Sequence, residues 1–93
     1  MDELVQDFKD MEKIDHTSED IYIEKLLKRS YEKLQRDYGK FDIDKNLIGR
    51  ELVLNRARYA YQDLLEYFNE NYRVDLIDFG ISLVEVEDDE ETI

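Results

Sequence analysis

The sequence has no cysteine, so no disulfide can staple the fold and no thiolate can act as nucleophile or metal ligand. Proline is absent too, and glycine occurs only at Gly39, Gly49 and Gly80, a composition suited to long helices with few breaks. No apolar run approaches the roughly 20 residues that a bilayer-spanning helix needs. The opening stretch, MDELVQDFKDM, is acidic and amphipathic rather than basic and then apolar, so it does not read as a secretory signal. A soluble intracellular protein with no membrane contact is the expectation. With 93 residues the chain can enclose one small core, and its stability must come from packing or association.

Positive charge is also in short supply. The formal net charge of −12 argues against binding nucleic acid or an anionic membrane. The imbalance is local, however. Glu85, Glu87, Asp88, Asp89, Glu90 and Glu91 form a run with no base, whereas acids and bases nearly balance between residues 21 and 74. Residues 1–86 are expected to form a helical domain and residues 87–93 a flexible acidic tail.

What the chain does have is helical periodicity. Leu4, Phe8 and Met11 predict a short amphipathic helix over residues 2–12. Thr17 and Ser18 are N-cap candidates for a second helix near 18–38, whose apolar face is Ile23, Leu26, Leu27, Tyr31, Leu34 and Tyr38. Gly39 stands where a left-handed C-terminal cap would sit. A long third helix is expected from Leu47 to about Tyr72. Val53, Ala57, Ala60, Tyr61, Leu64 and Phe68 share one of its faces, while Ile48, Leu52 and Tyr59 fall on the other. A monomeric bundle needs one apolar face per helix, so the second points to a partner. Gly80 should end a further short helical stretch. Residues 81–86, ISLVEV, then read either as a strand that pairs outside this chain or as an extended segment lying along the bundle. The expected fold class is therefore all-α: a bundle of three to four helices with an extended C-terminal segment and an acidic tail.

Little in the sequence points to chemistry. Asp42, Asp44 and Asn46 alternate as in a calcium loop, but the sixth position from Asp42 is Leu47 and the twelfth is Val53, where glycine and glutamate are required. Asn46 is better read as the N-cap of the third helix. His16, the sole histidine, lies in a polar connector, and Ser30 has no histidine at helical spacing to activate it. Neither a Gly-rich phosphate loop nor a paired-carboxylate pattern stands out. No catalytic, metal or cofactor residue is nominated, and the protein is not expected to be an enzyme.

Two patterns read as interaction surfaces. Lys25, Arg29 and Arg36 form a basic stripe on the second helix, either an ordinary solvated face or a strip that docks an acidic surface such as the tail of a neighbouring subunit. Residues 56–72 carry five aromatics beside arginines, the residue types that anchor interfaces, and Tyr59 and Tyr67 lack an obvious internal role. Together with Ile48, Leu52, Ile81, Leu83, Val84 and Val86 these residues make up the expected interface.

FKDMEKIDHTSEDIYIEKLLKRSYEKL, followed by LVLNRARYAYQDLLEYFNENY, resembles the small head–tail connector (head completion) proteins of tailed bacteriophages. The resemblance runs over most of residues 4–86 and rests on apolar positions and helix lengths. It implies an α-helical structural subunit that assembles as a homo-oligomeric ring beneath the portal protein and extends the DNA channel. Its other partners would be neck and tail-completion proteins, with DNA passing nearby unbound and the virion as its location after assembly in the host cytoplasm. No catalytic residues or cofactors come with it. The alternative is a small acidic regulator, such as a DNA mimic that inhibits a nucleic-acid-binding protein.

Overall fold

The computed structural model describes the backbone of residues 1–91 and the side chains of residues 1–84. Among these the chain is all-helical, in the order α1 (Asp2–Glu12), α2 (Asp20–Tyr38), α3 (Leu47–Tyr61), a 3-10 turn (Leu65–Tyr67), α4 (Phe68–Asn71) and α5 (Arg73–Glu91).

Helix α1 buries Leu4, Val5 and Phe8 and stops where Lys13 turns left-handed, with φ 58°. The Ile14 amide then donates to the Lys9 carbonyl at 2.8 Å, closing a Schellman motif without glycine. Helix α2 begins at Asp20 rather than Ser18. Glu19 takes the N-cap position with no side-chain cap, so neither Thr17 nor Ser18 caps the helix, and the Ser18 hydroxyl is engaged with His16 Nδ1 at 2.8 Å. At its other end Gly39 has φ 126° and ψ 162°, a conformation open essentially to glycine alone but not the expected left-handed cap. Asn46 caps α3 as expected, its side chain accepting from the Gly49 amide at 2.9 Å. Asp42 accepts from the Asp44 amide at 2.9 Å and so shapes the turn before it.

Phe8, Ile23, Leu27, Val53 and Ala57 are fully buried, which places the main core among α1, α2 and α3. Polar links bind the same helices at the rim. Arg50 on α3 meets Asp7 on α1 at 2.9 Å, Gln62 donates to Glu12 at 2.6 Å, and the Tyr61 hydroxyl donates to Glu19 at 2.7 Å. Lys9, itself buried, reaches Asp20 at 2.9 Å and joins α1 to the start of α2.

The expected long third helix is broken. It ends at Tyr61, and Asp63, with φ 60°, closes a second Schellman motif in which the Leu64 amide donates to the Tyr59 carbonyl at 2.8 Å. Tertiary packing explains the break. In a continuous helix Tyr59 and Phe68 would stand about 13.5 Å apart along the axis. Instead their rings lie 5.5 Å apart, and Phe68 stacks on Tyr72 at 4.8 Å. The reversal folds α4 back onto α3 and launches α5 across the bundle.

Helix α5 corrects two further expectations. Gly80 does not end it, and the backbone of residues 81–86 is helical rather than extended or strand. Leu76, Phe79 and Leu83 are buried at helical spacing against α2, α3 and the intervening loop. Gly80 is a contact position instead: a Cβ there would lie 3.1 Å from the Tyr38 ring. The acidic tail expected to be flexible, residues 87–93, has a helical backbone as far as Glu91, and its side chains and last two residues lie outside the described ones.

Gly49 permits the closest approach in the bundle. A Cβ there would stand 2.5 Å from the Phe41 ring and 3.1 Å from Phe79. Gly49→Ala should therefore destabilise the fold by about 1–3 kcal/mol through overpacking, despite alanine's better helix propensity. Urea unfolding measures this, and an unchanged or raised midpoint would show that the rings can yield.

Candidate interaction surfaces

The expected interface residues separate in the structure. Leu52 is buried in the core, and Leu83 is buried beside Gly39. Tyr59 is half-buried, packed edge-on against Phe68 and Tyr72 with its hydroxyl accepting from Asn71 at 3.1 Å. These three serve the subunit itself. Helix α3 needs two apolar faces because α1 and α2 cover one of them and α5 returns over the other. Ile48, Tyr67, Ile81 and Val84 are exposed, and the Val86 side chain lies outside the described residues.

Ile81 and Val84 belong to a longer stripe on α5. Val74 (70% exposed), Ile77 (51%), Ile81 (52%) and Val84 (52%) follow one another at steps of three, four and three residues on the side away from Leu76, Phe79 and Leu83. That is the heptad spacing of a helix–helix seam, and all four residues are β-branched. Helix α5 is thus apolar on two faces and uses one of them internally. Leu47 and Ile48 form a separate exposed pair at the start of α3, in a groove shared with Tyr72 and Asp75 on another flank of α5.

The basic stripe also resolves into parts. Arg29 and Arg36 line a cleft of about 340 Å³ between α2 and α3, with Lys33 beside them and Leu26, Ala60 and Leu65 supplying apolar surface. Lys25 lies outside it. Across the cleft stands Arg56 of α3, which the sequence reading did not single out. Its Nη1 donates to the fully buried Ser30 hydroxyl at 3.1 Å, and burial pushes its guanidinium below the ordinary value, opposed by the charge of Asp37. Ser30 is therefore a support for Arg56 rather than an isolated hydroxyl. A helical wheel of α3 alone puts Arg56 beside the face of Val53 and Ala60, which is the signal that could have drawn attention to it.

Comparison with known families, curated proteins and solved structures gave no match. The surfaces must be read from their own chemistry. The stripe offers apolar area to another helix. The cleft offers three guanidinium forks over an apolar floor, suited to carboxylates carried on a chain with some apolar character. Among the described residues no group of histidine and carboxylate side chains is arranged to hold a metal ion, and no helix is long and apolar enough to cross a membrane.

Proposed function

We propose that this protein is a structural subunit of a multi-copy assembly, a head–tail connector of a tailed bacteriophage that forms a ring beneath the portal and extends the DNA channel toward the neck or tail. The observation that carries the reading is the stripe Val74, Ile77, Ile81 and Val84, left in water by a helix already anchored through its other face. Burying such side chains against a neighbour is worth on the order of 1.5 kcal/mol or more apiece before the cost of association. The resemblance of residues 4–86 to connector proteins supplies the kind of assembly. The net charge of −12 suits it as well, since a channel through which DNA slides should repel phosphates rather than hold them.

The test is quantitative mass spectrometry of tailed-phage particles purified from a lysate that contains the chain. A copy number near that of the portal protein is expected. Absence from particles, with the chain abundant in the same lysate, overturns the connector reading and favours the acidic regulator. Ile77→Asp combined with Ile81→Asp should remove the subunit from particles. Because both positions face water, folding stability should change by no more than about 0.5 kcal/mol per substitution.

A further inference from the structure

We propose that the arginine cleft between α2 and α3 binds the acidic run at residues 85–91 of a second copy of this chain. The proposal does not depend on the virion reading. It begins from where the positive charge is gathered. In a protein of net charge −12, Lys9, Lys28, Lys33, Arg50 and Arg58 all stand against carboxylates of the same chain. Among the described residues the other eight bases have no carboxylate within 4.0 Å; Lys13, Lys25, Lys40, Lys45 and Arg73 are among them, while Arg29, Arg36 and Arg56 converge on one cleft. Glu32 sits at its rim, and Asp37, whose field reaches Arg56, is committed to Lys33 at 3.1 Å.

The cleft is also organised in advance. Ser30 is fully buried and holds Arg56 from below, so the guanidinium is oriented before any ligand arrives. A half-buried arginine without a counter-ion bears a desolvation cost that an entering carboxylate relieves, and its planar fork matches that group. The ligand class follows from the lining: several carboxylates with at least one aliphatic side chain among them for the surface of Leu26, Ala60 and Leu65. The chain carries such a segment itself, Glu85–Val86–Glu87 followed by four more acids.

A second copy supplies it more readily than the same one. Helix α5 passes from Phe79, against Tyr38 and Phe41, to Leu83, against Gly39, and so leaves at the loop end of the bundle. Arg29 lies about 15 Å back along α2 from Gly39. An intramolecular return would have to reverse the direction in which α5 runs. Donor segment and acceptor cleft are different surfaces, so two copies either exchange segments reciprocally or join head-to-tail into a ring or a filament.

Sedimentation velocity of the full chain, over a wide concentration range at low and high salt, tests the proposal. Concentration-dependent association that weakens steeply with salt is expected. Arg29→Glu with Arg36→Glu should weaken it by about tenfold or more, as should Asp88→Lys with Asp89→Lys and Glu90→Lys. Arg29 and Arg36 are exposed, and circular dichroism checks that each variant is folded. Mixing the two variants should restore association, because reversed cleft then meets reversed tail. A wild-type chain that stays monomeric at low salt, association indifferent to either reversal, or a mixture that fails to reassociate overturns the proposal. Association lost on Ile77→Asp and Ile81→Asp but not on cleft reversal assigns it to the α5 stripe and overturns it too.

Discussion

Phe79→Ala should lower the unfolding free energy by about 3–5 kcal/mol, the range for deleting a fully buried ring. Phe79 is 1% exposed, meets Phe41 edge-on at 5.0 Å and Tyr38 at 6.4 Å, and lies over Gly49. It is the middle of the three anchors of α5, between Leu76 and Leu83, and the only aromatic among them. The loss should therefore be uneven. Hydrogen exchange is expected to show α5 amides losing protection well before those of α2 and α3, whose shared core of Ile23, Leu27, Val53 and Ala57 does not include Phe79. Uniform loss of protection along the chain would mean that α5 and the three-helix core unfold as one unit.

The second large effect is expected at the junction of α1 and α2. The Lys9 side chain is 8% exposed and its ammonium is 2.9 Å from Asp20, whose side chain is 39% exposed. Removing the carboxylate leaves a buried cation uncompensated, which for fully buried pairs costs 3–5 kcal/mol. Because water reaches Asp20, Asp20→Ala should cost less, about 2–3 kcal/mol, with the lost charge at the first turn of α2 contributing a few tenths. Adding Lys9→Met removes the stranded charge and keeps the packing, so the double variant should be more stable than Asp20→Ala alone. Denaturant unfolding of the four proteins in the cycle measures this. Strictly additive costs would show that the pair contributes no coupling.

Which parts of the fold could be read in the sequence follows from how local their causes are. Helix α2 was legible because its apolar face repeats over nearly the whole of its length, and the Asn46 cap because it is a contact across three residues. The break after Tyr61 was not. Neither glycine nor proline marks it, and Asp63 adopts a left-handed backbone because Tyr59, Phe68 and Tyr72 gain more by meeting than the helix gains by continuing. Helix α5 was misread at Gly80, which by itself signals a stop but here admits Tyr38. Ile81 and Val84, two of the β-branched residues that suggested a strand, belong to the outward stripe.

The candidate surfaces divide in the same way. Arg29 and Arg36 were visible on one helix, but the cleft exists only once α3 brings Arg56 opposite them, a matter of register between two elements. The surplus apolar face of α3 divides: Ile48 stays exposed, while Leu52 is buried and Tyr59 half-buried. Leu52 is covered by the chain's own return, and a longer exposed apolar face lies on α5.

The order of the elements has a consequence in time. The core of α1, α2 and α3 is complete by Tyr61, whereas α5 closes over Phe41 and Gly49 only after a third more of the chain has been made. On a ribosome, where chains emerge N-terminus first, the three-helix core can form while the trough for α5 is still empty. A chain in synthesis thus presents α5 after α2 and α3, beside older copies whose arginine clefts are already built. An acidic run made after the cleft helices can thus meet, on another copy, a cleft that was built early.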